Sequence, residues 1–146
     1  MLRLVHIPKT GGTSLLVNGV PGGHHITYKK GFKFITILRN PVDRTVSHFL
    51  DENRGNDSIL TDFDIQRLAN FQTNWLREKL GVQGMNEIIK ILMRDFVVYT
   101  TDNLPKKFGH FHKRIRDYTP TKDQVELMKK LNDEDFKLYN MFKRSN

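Results

Sequence analysis

Residues 5–15 (VHIPKTGGTSL) join an apolar run to a lysine, a glycine pair and hydroxyl side chains, a combination that suits an anion. Gly11 and Gly12 carry no side chain, so backbone N–H groups there can approach phosphate or sulfate oxygens closely. A helix that starts near Thr13 would direct its positive end at the same place, and Lys9 adds a mobile positive charge. The lysine precedes the glycines, whereas in the P-loop of nucleoside triphosphatases it follows the last one. The order therefore argues against an ATP or GTP site of that kind.

Residues 39–49 (RNPVDRTVSHF) form a second group that could bind an anion. Asn40 followed by Pro41 is typical of the start of a helix. The apolar stripe expected for that helix comprises Val42, Val46, Phe49 and Leu50. The opposite side of the helix then carries Arg44, Ser47 and His48. Arg39, at the end of a predicted strand, can bind a phosphate through two parallel hydrogen bonds, and Ser47 can donate another.

Apolar periodicity predicts alternating strands and helices. The expected strands span residues 2–7, 25–28, 34–38 and 96–100. The expected helices are a short one after Gly12, one from Pro41, and those over residues 65–80, 86–94 and 102–115, followed by a C-terminal pair. Residues 51–64 are expected to form a polar loop. Gly81 is expected to end the helix over residues 65–80, and Thr121 with Gln124 is expected to form the capping box of the C-terminal pair.

This order of elements predicts an α/β fold with a parallel sheet and helices on its faces. Ligands of such sheets lie beyond the C-terminal ends of the strands, and residues 8–14 and Arg39 both fall there. Two anion sites at one edge predict a ligand with two separated anionic groups.

The composition fits one domain, residues 1–146, with a basic surface. The 24 Lys and Arg against 16 Asp and Glu give a net charge of +8, which favours nucleotides, sulfated glycans, nucleic acid or an acidic membrane as partners. The chain has no cysteine, which excludes disulfides and thiolate metal sites. No apolar run approaches the ~20 residues of a membrane span, and no signal-peptide pattern is present. The expectation is a soluble, cytoplasmic protein unless an anchor has been removed.

Together the two groups resemble the phosphate-binding motifs of sulfotransferases that use 3′-phosphoadenosine 5′-phosphosulfate (PAPS), of the Golgi carbohydrate type that includes heparan sulfate 2-O-sulfotransferase. Residues 8–14 (PKTGGTS) match that family's 5′-phosphosulfate loop, and residues 39–47 (RNPVDRTVS) match its 3′-phosphate motif. Residues 23–28 (GHHITY) resemble the segment with the family's catalytic histidine. Residues 70–76 (NFQTNWL) resemble a helical segment near its active site.

The resemblance implies a three-layer, P-loop-like fold in which helices flank a short parallel sheet. It implies an enzyme that moves the sulfuryl group of PAPS to an acceptor hydroxyl, on a carbohydrate as in that family, by in-line displacement. The donor-binding residues would be Lys9, Thr10, Gly11, Gly12, Thr13, Ser14, Arg39 and Ser47. Lys9 would stabilise the transferring group. His25 would take the acceptor proton, because its ordinary pKa of ~6.5 lies near working pH, and His24 is the close second.

No metal is expected, because the sequence has no clustered carboxylates and no histidine pair at helical spacing. Because the chain is short, a second copy could complete the acceptor cleft. His6 is expected to pack at the strand end, and Phe71, Trp75 and Leu76 are expected to be core. A solvated basic face is expected from Lys106, Lys107, Lys113, Arg114 and Arg116.

Two other classes of function stay open. A kinase-like nucleotide enzyme would need Mg²⁺ ligands and a lysine after the glycines, and the sequence offers neither. A non-catalytic polyanion-binding or nucleotide-binding protein would explain the positive charge. It would not need two separate phosphate motifs at strand ends, and no nucleic-acid-binding motif is visible, so nucleic acid is not an expected partner.

Overall fold

Four parallel strands form the central sheet of the computed structural model, which describes residues 2–10, 16, 19–54, 58–108 and 118–144. They are β1 (Arg3–Val5), β2 (Gly22–Gly23), β3 (Phe34–Leu38) and β4 (Phe96–Thr100), in the spatial order β2-β1-β3-β4. After β1 the chain moves to one side for β2 and then to the other side for β3. The switch in direction therefore lies between β1 and β3, which is where ligands of such sheets bind. The expected α/β class with a parallel sheet is confirmed.

The described helices are α1 (Pro41–Glu52), α2 (Asp62–Arg67), α3 (Phe71–Leu80), α4 (Met85–Asp95), α5 (Lys122–Leu131) and α6 (Asp133–Arg144), with a 3₁₀ turn at Lys106–Phe108. As predicted, α1 begins at Pro41, Gly81 ends α3, and Thr121 with Gln124 forms the capping box of α5. The Asn40 side chain caps α1. Within the described ranges, every helix is too short or too polar to cross a bilayer.

Apolar side chains cover both faces of the sheet, because successive residues of a strand face opposite sides. One face packs against α3, α4 and α6 through Val5, Phe34, Leu38, Phe96 and Val98. The other face carries Leu4, Ile35 and Ile37, which pack with Leu16, Val20, Tyr99, Leu104 and Phe108. A third cluster, away from the sheet, joins α1, α2 and α5 through Phe49, Leu60, Ile65 and Met128.

The second strand lies at Gly22–Gly23 and not over residues 25–28, as the sequence had suggested. It pairs with β1, and Gly22 approaches β1 so closely that a Cβ atom there would lie 2.2 Å from the Leu4 carbonyl oxygen. Gly22 also has φ +143°, which side-chain-bearing residues rarely adopt. Only glycine allows this contact. The prediction missed the strand at Gly22–Gly23 because it located strands by their β-branched and aromatic residues.

The single helix expected over residues 65–80 is also wrong, because the structure has α2 and α3 there with a sharp turn between them. Asn70 has φ 53°, in the left-handed region, and this conformation ends any continuous helix. Its backbone N–H donates to the Asn132 side chain at 2.8 Å, and its own side chain contacts Asp133 and the N–H of Asp135. Distant residues at the start of α6 therefore hold the break in place.

Two further boundaries differ from expectation. The polar loop expected over residues 51–64 is shorter, because α1 continues to Glu52 and α2 begins at Asp62 behind a capping box formed by Thr61 and Asp64. No helix begins at Asp102, although one was expected over residues 102–115, and the Asp102 side chain accepts a hydrogen bond from Tyr139. The rest of that expected helix, with Lys113, Arg114 and Arg116, lies outside the described residues, as does the helix expected after Gly12.

Candidate functional site

A tight turn follows β1 at the edge of the sheet where the anion loop was predicted. Lys9 has φ 65°, a left-handed conformation that is uncommon for residues other than glycine. The next residue, Thr10, is fully buried, and its hydroxyl donates to the Ile7 carbonyl at 2.7 Å. Strained backbone of this kind persists where surrounding contacts hold it, and it is common in ligand-binding loops. Gly11, Gly12, Thr13 and Ser14 lie outside the described residues.

Two arginines join this turn to the segment that follows β3. Arg39 donates through Nη1 to the Lys9 carbonyl at 3.2 Å, and Arg44 donates through Nε to the Pro8 carbonyl at 3.0 Å. Charged donors make stronger hydrogen bonds than neutral ones, so these contacts fix the turn against the start of α1. Two groups of residues that lie 30 positions apart in the chain therefore form one structural unit at the β1/β3 switch point.

Gln72, on α3, holds the backbone of Arg39. Its Oε1 accepts from the Arg39 N–H at 2.9 Å, and its Nε2 donates to the Arg39 carbonyl at 2.8 Å. On the opposite side of β3 the N–H of Thr101 donates to the carbonyl of Leu38 at 3.0 Å. Backbone groups alternate sides along a strand, so those of Arg39 face β1. The Gln72 carboxamide therefore occupies the place of a strand residue and separates the end of β3 from the turn after β1.

Asp135 in turn fixes the beginning of α3. Its carboxylate accepts hydrogen bonds from the Gln72 and Thr73 N–H groups and from the Thr73 hydroxyl, at 3.1, 2.7 and 2.6 Å. A carboxylate at the N-terminus of a helix is stabilised by the free N–H groups and by the helix dipole. Burial nevertheless raises the pKa of Asp135. The sequence placed Gln72 in the segment 70–76 that resembles one near an active site, but it indicated no role for the Gln72 or Asp135 side chains, because their partners are distant in the chain.

Arg44 begins a row of polar contacts along α1. The sequence placed it on the side of α1 opposite the apolar stripe, yet it is only 1% exposed. Its guanidinium lies 3.6 Å from the centre of the Phe71 ring, and its Nη2 contacts Nδ1 of His48 at 2.9 Å. Nε2 of His48 contacts Glu52 at 2.7 Å. Burial and the charge of Arg44 lower the pKa of His48, so this ring is neutral and donates to Glu52. Both sides of α1 are thus packed.

Lys9 ends in an ion pair, since its Nζ lies 2.7 Å from Oδ2 of Asp51 near the end of α1. The Lys9 ammonium and the nearby Arg54 guanidinium lower the pKa of Asp51 below its usual range. Both partners of the ion pair are about one-third exposed, so water screens their attraction and the pair is weak. An anion bound at the turn would compete with Asp51 for Lys9.

His24 and His25 are placed differently. The His24 ring packs against His6 with centroids 4.2 Å apart and the ring planes tilted by 34°, and it meets the edge of Trp75 at 6.0 Å. Burial lowers the pKa of His24, and the neighbouring His25, Lys79 and Lys9 lower it further. Nε2 of His24 is buried and has no hydrogen-bond partner among the described residues. His25 is exposed to solvent.

The aromatic residues of α3 contribute to this site as well as to the core. Leu76 is fully buried in the core, as expected, but Phe71 and Trp75 are only partly buried. Their rings stack 5.8 Å apart, between the histidine pair on one side and Arg44 on the other. This stack connects His24 to the start of α1. Ser47 lies on α1 one turn after Arg44 and is half-buried.

The chain matches no family model, no curated protein and no solved structure. Among the described residues, no group of three or more His, Asp or Glu side chains is arranged to hold a metal ion. The site therefore rests on its own geometry: cationic side chains and a strained turn at the switch point of the sheet, with the His6 and His24 rings in contact beside them.

Proposed function

We propose that this chain is a sulfotransferase that takes the sulfuryl group from PAPS and transfers it to an acceptor hydroxyl, with a carbohydrate as the favoured acceptor. One observation carries the proposal: Arg39 and Arg44 contact the backbone of the turn that contains Lys9, at 3.2 and 3.0 Å. PAPS has two separated anionic groups, and the two residue groups that resemble its binding motifs lie side by side. We propose with it that the α/β fold is of the three-layer, P-loop-like type.

In this proposal Lys9, Thr10 and the loop over residues 11–14 bind the 5′-phosphosulfate, while Arg39 and Ser47 bind the 3′-phosphate. Arg39 suits this role because Gln72 fixes its backbone while its guanidinium already lies against the turn. Lys9 suits the transferring group because its weak pair with Asp51 can exchange for a stronger contact with a multiply charged ligand.

Transfer proceeds by in-line displacement. The acceptor oxygen forms a bond to sulfur while the bond from sulfur to the bridging oxygen breaks, and the electron pair stays on the phosphate of adenosine 3′,5′-bisphosphate. Lys9 stabilises the charge that grows on that oxygen, and a neutral imidazole takes the acceptor proton. His24 suits this step better than His25, which the sequence favoured, because the charge of Lys9 acts on His24 and Nε2 of His24 has no partner among the described residues.

A thermal-shift titration tests the donor. Adenosine 3′,5′-bisphosphate should raise the melting temperature far more than ATP at equal concentration, and the difference should persist in 0.3 M salt, roughly twice physiological ionic strength. A polyanion-binding protein would respond to both ligands and lose the response in salt. A kinase-like enzyme would respond to ATP with Mg²⁺. Either pattern contradicts the proposal.

Arg39→Ala tests the 3′-phosphate site. It should weaken the binding of adenosine 3′,5′-bisphosphate by ~1.5–3 kcal/mol, the usual contribution of a charged hydrogen-bonding partner. Adenosine 5′-phosphosulfate has no 3′-phosphate, so its affinity should change much less. Arg54→Ala, which removes an exposed arginine near Asp51, is the control and should affect neither ligand. Equal losses for both ligands in calorimetry would mean that Arg39 has only a structural role.

Turnover tests the base. His24→Ala should lower the rate of sulfuryl transfer by ~10²–10⁴ and leave donor affinity intact, because the base acts only on the acceptor proton. His25→Ala is the matched control and should keep most of the activity. A screen of PAPS-dependent activity against glycans and small alcohols supplies the assay. If His25→Ala is the inactive variant, the base is His25. If both variants are active, the histidine mechanism is wrong.

A further inference from the structure

Three large apolar side chains are exposed at the edge of the sheet opposite the candidate site. Leu2, Phe32 and Met93 are 39%, 57% and 69% exposed. The register aligns Arg3 with Phe34 and Phe34 with Phe96. Leu2, Lys33 and Asp95, which come just before these three residues, therefore lie in one row. Met93 belongs to the last turn of α4, which leads directly into β4. Contact between Lys33 Nζ and the Arg94 carbonyl at 2.5 Å joins the Phe32 loop to that turn.

Exposed cations surround these apolar side chains. They are Arg3, Lys29, Lys30, Lys33, Lys90 and Arg94. Lys29 lies over the Phe32 ring, with its Nζ 5.5 Å from the ring centre. The acidic residue in this row, Asp95, is buried and accepts hydrogen bonds from Arg94 and Tyr28, so its charge offsets that of Arg94 and leaves the other five cations largely uncompensated by it. We call the three apolar residues and six cations the basic edge.

We propose that the basic edge binds the surface of a bilayer that contains anionic lipids. Apolar side chains surrounded by lysine and arginine match the two layers of such a surface, since the apolar groups enter the acyl boundary while the cations meet the headgroups. A nucleic acid or a sulfated glycan would satisfy the cations alone and would leave Phe32 and Met93 in water. The exposed apolar groups therefore favour a membrane over a soluble polyanion.

This surface and the candidate site do not overlap. All four strands are parallel, so the basic edge lies at their N-terminal ends and Lys9 and Arg39 lie at their C-terminal ends. The residues of β3 separate the two by about 15 Å at the usual rise per strand residue. Bound in this way, the protein would direct its candidate site away from the membrane. The inference does not depend on the proposed function.

Co-sedimentation with vesicles tests the proposal. The whole chain should bind vesicles of phosphatidylcholine and phosphatidylserine in a 7:3 ratio and not vesicles of phosphatidylcholine alone. The triple variant Lys29→Gln/Lys30→Gln/Lys33→Gln should lower the partition coefficient on the order of 100-fold, because each cation near an anionic surface contributes about a fivefold factor. The double variant Phe32→Ser/Met93→Ser should lower it about tenfold through lost apolar burial.

Matched controls come from the region of α2 and from α5. Ile59 and Phe63 are 74% and 70% exposed, and Phe63 stands between Asp62 and Asp64 without neighbouring cations in the sequence, so Ile59→Ser/Phe63→Ser should leave vesicle binding unchanged. Lys122→Gln/Lys129→Gln/Lys130→Gln removes as many lysines from α5 and should have a much smaller effect than the triple variant of the basic edge. Circular dichroism checks that each variant is folded.

Hydrogen exchange on the unmodified chain gives a second measurement. Anionic vesicles should protect the amides of residues 28–33 and leave those of α2 unchanged. Absence of binding to the anionic vesicles, equal effects of the edge and control variants, or protection elsewhere would overturn the proposal. The proposal would also be overturned if the lysine variant lost vesicle binding, the Phe32→Ser/Met93→Ser variant did not, and heparin competed effectively with the vesicles. That pattern would identify a polyanion-binding surface.

Discussion

Gln72→Met tests whether one carboxamide holds the candidate site in place. Methionine has nearly the volume and flexibility of glutamine, so the substitution keeps the packing of α3 and removes only the two hydrogen bonds to the Arg39 backbone. Gln72 is 1% exposed and Arg39 is 6% exposed, so water does not easily replace the lost partner.

The expected cost follows from those two bonds. A buried backbone group that loses its partner costs about 1–3 kcal/mol, and Gln72→Met affects one N–H and one carbonyl, so we expect a loss of about 2–5 kcal/mol in the free energy of unfolding. This is a large part of the total stability of an ordinary domain, about 5–15 kcal/mol.

Urea unfolding measures the loss, and hydrogen exchange locates it. The amide of Arg39 should exchange much faster in Gln72→Met than in the unmodified protein, whereas amides in the centre of β3 should change only as far as global stability does. The ratio of affinities for adenosine 3′,5′-bisphosphate and adenosine 5′-phosphosulfate should also fall, because the position of Arg39 relative to Lys9 is no longer fixed.

Thr73→Val is the matched control. It removes the hydroxyl contact to Asp135 at the same end of α3, and it costs about 1.5–3 kcal/mol without touching Arg39. Thr73→Val should lower stability but leave the Arg39 amide and the ratio of affinities unchanged. If Gln72→Met lowers stability by less than about 1 kcal/mol, or if both variants change Arg39 exchange equally, the reasoning about Gln72 is refuted.

Three further predictions concern other contacts. Burial and the neighbouring His24 lower the pKa of His6 to about 4, so the unfolded chain binds more protons than the folded chain between pH 6.5 and 4. The free energy of unfolding should therefore fall by up to about 3 kcal/mol as the pH drops over that interval. His6→Phe should weaken this pH dependence in urea titrations, and an equal slope of stability against pH in both proteins would contradict the prediction. Asp51→Asn should raise anion affinity at Lys9 by at most about fivefold in calorimetry, and a decrease would mean that Asp51 positions Lys9 productively. Gly22→Ala should disrupt the pairing of β2 with β1, whereas Gly23→Ala introduces only backbone strain. The melting temperature should therefore fall more in Gly22→Ala, and equal melting temperatures would contradict the close contact between Gly22 and Leu4.

The sequence predicted the helix ends correctly where the stabilising interactions lie within a few residues of each other in the chain. Asn40 with Pro41, Thr121 with Gln124, and Gly81 act through hydrogen bonds or dihedral angles within a few residues, and each was predicted and is confirmed. The break at Asn70 was missed because its left-handed conformation depends on Asn132 and Asp133. Those partners lie more than 60 residues away in the chain, so no local pattern contains them.

The same distinction between local and distant interactions applies to the candidate site. The residue types around Lys9 and Arg39, and their places after apolar runs, follow from the sequence alone, because strand ends and glycine turns are local features. Only the tertiary structure decided that Gln72 holds Arg39, that Asp51 pairs with Lys9, and that the charge of Lys9 acts on His24. These contacts arise when helices and loops pack against one edge of the sheet. Their energies depend on distances between segments, which spacing along the chain does not encode.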